Sequence, residues 1–253
     1  MDFEKLKGLS LKKADAAADI ELINQYSVKK LAPEEVFCFS VVLCDNEVDR
    51  DGERFTSTAL EGLAPLFLGK TGIMDHRWTA ENQIARLYRV EVETVKGKKN
   101  SLGEPLRNLR GSAYMLKNEA NQPIIDAIEG GILKEVSIGC AMGSCTCSIC
   151  GSEYGTCGHY KGERYGGEIC IAELGNPVDA YEFSFVAVPA QPGAGVTKSM
   201  KKLDDAFAML MTADLSGCKE LVKQLIPRLQ LALAHEAERA DRAAIRANAE
   251  KYL

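Results

Sequence analysis

Three histidines and nine cysteines carry most of the reactive chemistry in this 253-residue chain. His159 sits among cysteines and His235 lies in an alanine-, arginine- and glutamate-rich stretch. His76, between Asp75 and Arg77, is therefore the histidine left to act as a base in the main body of the chain. Its unperturbed pKa near neutrality suits it to accept a proton. Ser137 lies between Val136 and Ile138, and strand alternation turns its hydroxyl to the opposite side from those apolar neighbours. Read alone, both residues also fit ordinary roles, a surface histidine and a strand serine. A serine nucleophile needs a neutral imidazole to take its proton and a polar or anionic group to orient that imidazole.

The second constellation is local. Cys147-Ser148-Ile149-Cys150 is followed by Cys157-Gly158-His159, a Cys3His set suited to one tetrahedral zinc ion. Glycines at 151, 155 and 158 permit the tight turns such a site needs. Cys145 and Cys170 are alternative ligands. Four protein ligands leave no open position for water, so the expected ion is structural rather than catalytic. Cys38 and Cys44 lie in an apolar run and read as small buried residues.

The elements that must position these groups are mostly strands. Residues 36–44 (VFCFSVVLC) read as a buried strand and residues 45–53 as a polar loop. Thr56, Ser57 or Thr58 caps a helix with Leu60, Leu63, Leu66 and Phe67 at helical spacing. Strands are expected over 84–95, 109–116, 132–141 and 181–188, with a hairpin loop over 97–108. A short helix over 123–129 ends at Gly130-Gly131.

Composition sets outer limits. The hydrophobic fraction is 46%, enough for a sizeable core, and the charged fraction is 26%. A net charge of −5 with no basic stripe argues against nucleic-acid binding, and only Lys161 and Arg164 lie near the cysteine cluster. No apolar run approaches the roughly 20 residues of a membrane span, and no leader pattern precedes the main body. A reducing cytoplasm is the expected compartment, which favours metal over disulfides for clustered cysteines.

Taken in order, three motifs resemble the prohead proteases of tailed phages. They are Asp75-His76-Arg77, then Val136-Ser137-Ile138-Gly139, then Glu182-Phe183-Ser184-Phe185-Val186-Ala187-Val188-Pro189-Ala190 continuing into Gln191-Pro192-Gly193-Ala194. The likeness covers about residues 35–198 and includes a "CSICG…C.H" insertion carried by some members. It implies a serine endopeptidase with the fold of the herpesvirus assemblins: mainly β with flanking helices (α+β), a compact antiparallel barrel. It implies Ser137 as nucleophile and His76 as base. Glu182 is the preferred third member, with Asp179 and Asp75 as competitors. Backbone amides near Gly139 or the Arg86 side chain are candidate oxyanion donors. The implied substrates and partners are the major capsid protein and scaffold, met inside the assembling prohead in the host cytoplasm. Self-cleavage and self-association are further expectations.

The expected organisation is a helical or loosely ordered lead-in over 1–32 and a protease domain over 33–198. Within the latter lies a zinc insertion over 143–170, and a helical tail follows over 199–253 with a break at Pro227. Three rivals stand beside this reading: an inactive assembly protein with the protease fold, a zinc-stabilised binding module, and a cysteine protease using Cys140.

Overall fold

A computed structural model describes residues 15–197. They belong to the first of the chain's two units, Met1–Ser199. The helical tail expected over 199–253, with Pro227 and His235, and the first part of the lead-in lie outside the described residues.

The described residues are mainly β with three α-helices. One strand organises them. β9 (Ala172–Phe185) is lined along one edge by β6 (Val136–Cys147), antiparallel over the whole length of both. Its other edge is shared by two short strands, β2 (Glu53–Phe55) and β3 (Thr71–Met74), both parallel to it. Two strands that run the same way along one edge need a crossover. Helix α2 (Ser57–Phe67) provides it, burying Ala59, Leu60, Leu63 and Phe67. Thr56 caps it by accepting the Ala59 amide at 3.1 Å, as the sequence predicts.

From β3 the sheet continues through β4 (Ala85–Lys99), β5 (Pro105–Leu116), β1 (Val36–Asp45) and β10 (Gly195–Val196). The sheet is thus mixed, which corrects the expectation of an antiparallel one. Helix α3 (Gln122–Glu129) buries Ile125 and Ile128 and precedes β6. Phe39, Phe183 and Phe185 form an aromatic cluster at the core, with ring centroids 6.0–6.5 Å apart. Such spacing is favourable for tilted and edge-on rings.

Several boundaries moved, each for a reason of pairing. β6 begins at Val136 rather than 132, because Ile132 and Leu133 are taken up in a turn on the Ala127 carbonyl. It then runs on to Cys147, held by β9 residues 172–180, whose Gly, Asn and Pro give no local strand signal. β4 and β5 extend into the expected hairpin loop, leaving a turn around Asn100. Asn100 is buried and its side chain accepts the Leu102 and Glu104 amides. β9 stops at Phe185, short of 188. β2 and β10 were not expected; their few residues show no periodicity.

Within the lead-in, helix α1 (Ala16–Ile23) is docked on the sheet. Buried Asp19 accepts the Tyr88 hydroxyl at 2.9 Å and pairs with Arg89. Among the described residues, no helix is long and apolar enough to cross a membrane.

Candidate functional site

The β6–β9 ribbon carries a candidate site at each end. At the first, β3 runs parallel to β9 with Ile73 opposite Ser184 and Met74 opposite Phe185. The chain then leaves β3 through two consecutive left-handed residues, Asp75 (φ 54°) and His76 (φ 52°). For non-glycine residues this conformation costs about 1–2 kcal/mol each, and it persists only where surroundings enforce it. Here three hydrogen bonds do so. The Asp75 amide donates to Phe185 O and the His76 amide to Ser184 Oγ, both at 3.0 Å, and the Arg77 amide donates to Met74 O at 3.1 Å. Asn82 ties the loop from below, its amide donating to Met74 O and Arg77 O at 2.8 and 2.9 Å.

This turn brings the His76 ring over β9, with Nδ1 2.8 Å from Glu182 Oε1. The Glu182 side chain is 3% exposed, whereas that of His76 is 41% exposed. A buried carboxylate requires partners, and this one has two. His76 holds Oε1, and the fully buried Ser184 hydroxyl donates to Oε2 at 2.7 Å. Ser184 thus grips the backbone of His76 and the carboxylate beside its ring. Sequence reading gave it no role, although it lies two residues after Glu182, on the same face of the strand.

Ser137 reaches the same face through register. It lies opposite Ser184, and Gly139 lies opposite Glu182. Opposed residues of an antiparallel pair point to one side, their Cα atoms about 4.5–5.5 Å apart. Val136 and Ile138 point instead to the core. Gly139 leaves the room the carboxylate occupies: a Cβ there would stand 2.6 Å from Glu182 Oε1.

The other expected participants lie elsewhere. Asp179 pairs with Lys70 at 3.4 Å, and Asp75 is exposed. Arg86 donates to Gly69 O at 2.7 Å. Cys140 faces the core with Met142, 3.9 Å from its sulfur, and burial pushes its thiol up to about 11. A thiol so protonated is a poor nucleophile. The Gln191-Pro192-Gly193-Ala194 segment locks the end of β1. Gln191 accepts the Asp45 amide at 2.8 Å and donates to its carbonyl at 3.1 Å, and a Cβ on Gly193 would stand 2.4 Å from Asp45 Oδ2.

At the far end of the ribbon, Cys147 pairs with Ala172 and closes an excursion of the chain. The excursion contains the hairpin of β7 (Arg164–Tyr165) and β8 (Glu168–Ile169). Donor atoms of Cys147, Cys150, Cys157 and His159 all lie within 4.8 Å of one another. Cys147 Sγ is 3.7 Å from His159 Nδ1, close to the edge of a tetrahedron built with Zn–S of about 2.3 Å and Zn–N of about 2.0–2.1 Å. The four side chains therefore fit a zinc ion. Burial opposes ionisation of Cys147, but the amides of Cys150 and Ile149 aimed at its sulfur, together with the Cys170 and Cys150 thiols, bring it down to about 7. Cys150 is likewise lowered, chiefly by the Ser152 amide. Cys170, fully buried 3.7 Å from Cys147 Sγ, lies outside the group of four, and burial pushes it up to about 11. The insertion is anchored on the sheet by Lys161, which bonds Glu53 of β2 at 2.6 Å.

No protein-family model, curated protein or solved structure matches the chain.

Proposed function

We propose that the protein is a serine endopeptidase of the prohead-maturation type, in which Ser137 attacks the peptide carbonyl. The observation that carries this reading is the 2.8 Å contact between His76 Nδ1 and buried Glu182, on the face that Ser137 shares. A carboxylate on Nδ1 fixes the tautomer in which Nδ1 bears the proton, so that Nε2 carries a free lone pair. Nε2 then accepts the Ser137 proton as the hydroxyl adds to the carbonyl. It returns that proton to the leaving amine, and a water repeats the cycle on the acyl-enzyme. Glu182 stabilises the imidazolium that forms between these steps, and Ser184 keeps the carboxylate from turning away.

The substrates in this proposal are the major capsid protein, scaffold and the chain itself, met within an assembling prohead. An assemblin-like barrel is consistent with the bridge between Glu135 and Gly195, which draws the β10 end of the sheet toward the start of β6. The metal is a single structural zinc on Cys147, Cys150, Cys157 and His159, stapling the excursion between β6 and β9.

The test is a fluorophosphonate that labels activated serines, applied beside incubation with the cognate capsid and scaffold proteins. Labelling mapped to Ser137, together with capsid cleavage that Ser137→Ala lacks, is the expected result. An unlabelled wild type that also leaves capsid and scaffold intact overturns the proposal.

A further inference from the structure

The strand that carries Glu182 departs from regular pairing one residue earlier. Gly139 lies opposite Glu182, but the next β6 residue, Cys140, lies opposite Ala180. Tyr181 is therefore an extra residue on β9, a β-bulge. Regular alternation would send Tyr181 to the core face with Phe183 and Phe185, both of which are buried. The bulge re-aims it instead, and bulges next to active sites commonly serve that purpose. Tyr181 is 40% exposed between buried Ala180 and buried Glu182.

Its ring meets Trp78, with centroids 5.3 Å apart and planes tilted by 54°. Trp78 is 67% exposed and lies two residues after His76, on the loop that Asn82 braces. Two large aromatic rings thus stand exposed against one another, Trp78 on the loop that follows His76 and Tyr181 on the strand next to Glu182. Exposing them gains nothing for folding, because rings of this size are among the largest contributors to a core. An exposed apolar patch next to a reactive centre marks a binding surface.

We infer that Trp78 and Tyr181 form the subsite that holds a large apolar side chain of the peptide presented to Ser137. The inference rests on the endopeptidase reading and adds to it a determinant of specificity. The occupant is apolar because two ring faces offer contact area but little capacity to satisfy polar groups. It belongs to the substrate because the pair is built on the strand and loop that position the base.

Trp78 is the chain's single tryptophan, so occupancy can be read directly. Ser137→Ala protein titrated with peptides carrying Leu, Phe or Met near the scissile bond should shift tryptophan emission to the blue and protect it from acrylamide. Peptides with Ala or Asp there should not. In active protein, a fluorogenic peptide library should show preference for large apolar residues at one position. Trp78→Ala should flatten that preference, lowering turnover of the preferred peptides about tenfold more than fluorophosphonate labelling of Ser137. Trp78→Phe should restore most of it. A preference for Lys or Arg lost with Trp78 overturns the apolar assignment, as does a profile that Trp78→Ala and Tyr181→Ala leave unchanged. A wild type that is neither labelled by the fluorophosphonate nor able to cleave capsid and scaffold removes the endopeptidase reading itself, a separate outcome.

Discussion

His76 and His159 stand at opposite ends of one antiparallel ribbon and present their rings in different settings. His76 offers Nδ1 to a buried carboxylate at 2.8 Å, and its side chain is 41% exposed. His159 presents Nδ1 to the Cys147 sulfur at 3.7 Å and packs its ring edge-on against Tyr165, 4.5 Å between centroids. Ten residue steps along β6 lead from Ser137 to Cys147, up to about 33 Å of extended strand. The first end is an open arrangement, a half-exposed imidazole held from one side by a buried carboxylate. The second is a closed set of four ligands with no position left for water. Openness suits turnover and closure suits stability, so the two ends should respond to different perturbations.

The sharpest break is expected at the open end. If the proposed mechanism holds, Ser137→Ala and His76→Ala should each lower peptide cleavage by at least about a thousandfold. Ser137→Ala should leave thermal melting unchanged, whereas His76→Ala should melt lower because it takes one partner from buried Glu182. Glu182→Gln keeps the shape but replaces a carboxylate acceptor with an amide, and should cost about 10²–10⁴-fold in kcat. A mutant that retained wild-type kcat would dissociate the carboxylate from the imidazole's work. At the closed end, chelation or Cys150→Ser should remove the proposed zinc and lower stability by about 3–4 kcal/mol relative to protein at metal levels well above Kd. Metal analysis with a melt measures both. Cys145→Ser and Cys170→Ser should keep the ion.

Two further changes divide stability from chemistry within β6. Gly139→Ala pushes on Glu182 Oε1 and should lower kcat about 10–100-fold, because a small displacement of a positioned group is costly. Gly143→Ala meets Asn176 at 2.5 Å, away from the carboxylate, and should lower the melting temperature while sparing kcat.

The smallest effect concerns a buried carboxylate outside both ends. Asp45 is buried, and desolvation raises its pKa above the ordinary value. A raised folded-state pKa stabilises the fold at low pH, and that contribution is lost as pH rises through it. Asp45→Asn should therefore melt slightly higher than wild type at pH 7, with the difference vanishing as pH falls toward 4.

Local signals made much of the fold legible. The β-rich run of β1, the Thr56 cap and apolar spacing of α2, and the helix before Gly130-Gly131 all emerged where expected. Strands held by long-range pairing did not. Cys140 to Cys147 contains small and polar residues that no propensity marks as strand, and it is extended because β9 residues 172–180 pair with it. Those residues, with Gly175, Asn176 and Pro177, are equally silent alone. Ser184 was missed for a related reason: a serine on a strand acquires meaning only when another segment brings it a backbone amide and a carboxylate.

The sequence by itself determined the cysteine–histidine knuckle, because its ligands lie within thirteen residues and short turns bring them together. It also set out His76, Ser137 and three competing carboxylates. Which carboxylate stands beside His76 was decided by tertiary structure alone. The register of β3 on β9, the left-handed turn at Asp75-His76 and the space left by Gly139 place Glu182 there, while Asp179 goes to Lys70. Register is a long-range property: a shift of one residue exchanges every side chain between faces, and no local pattern encodes which neighbour the strand will find.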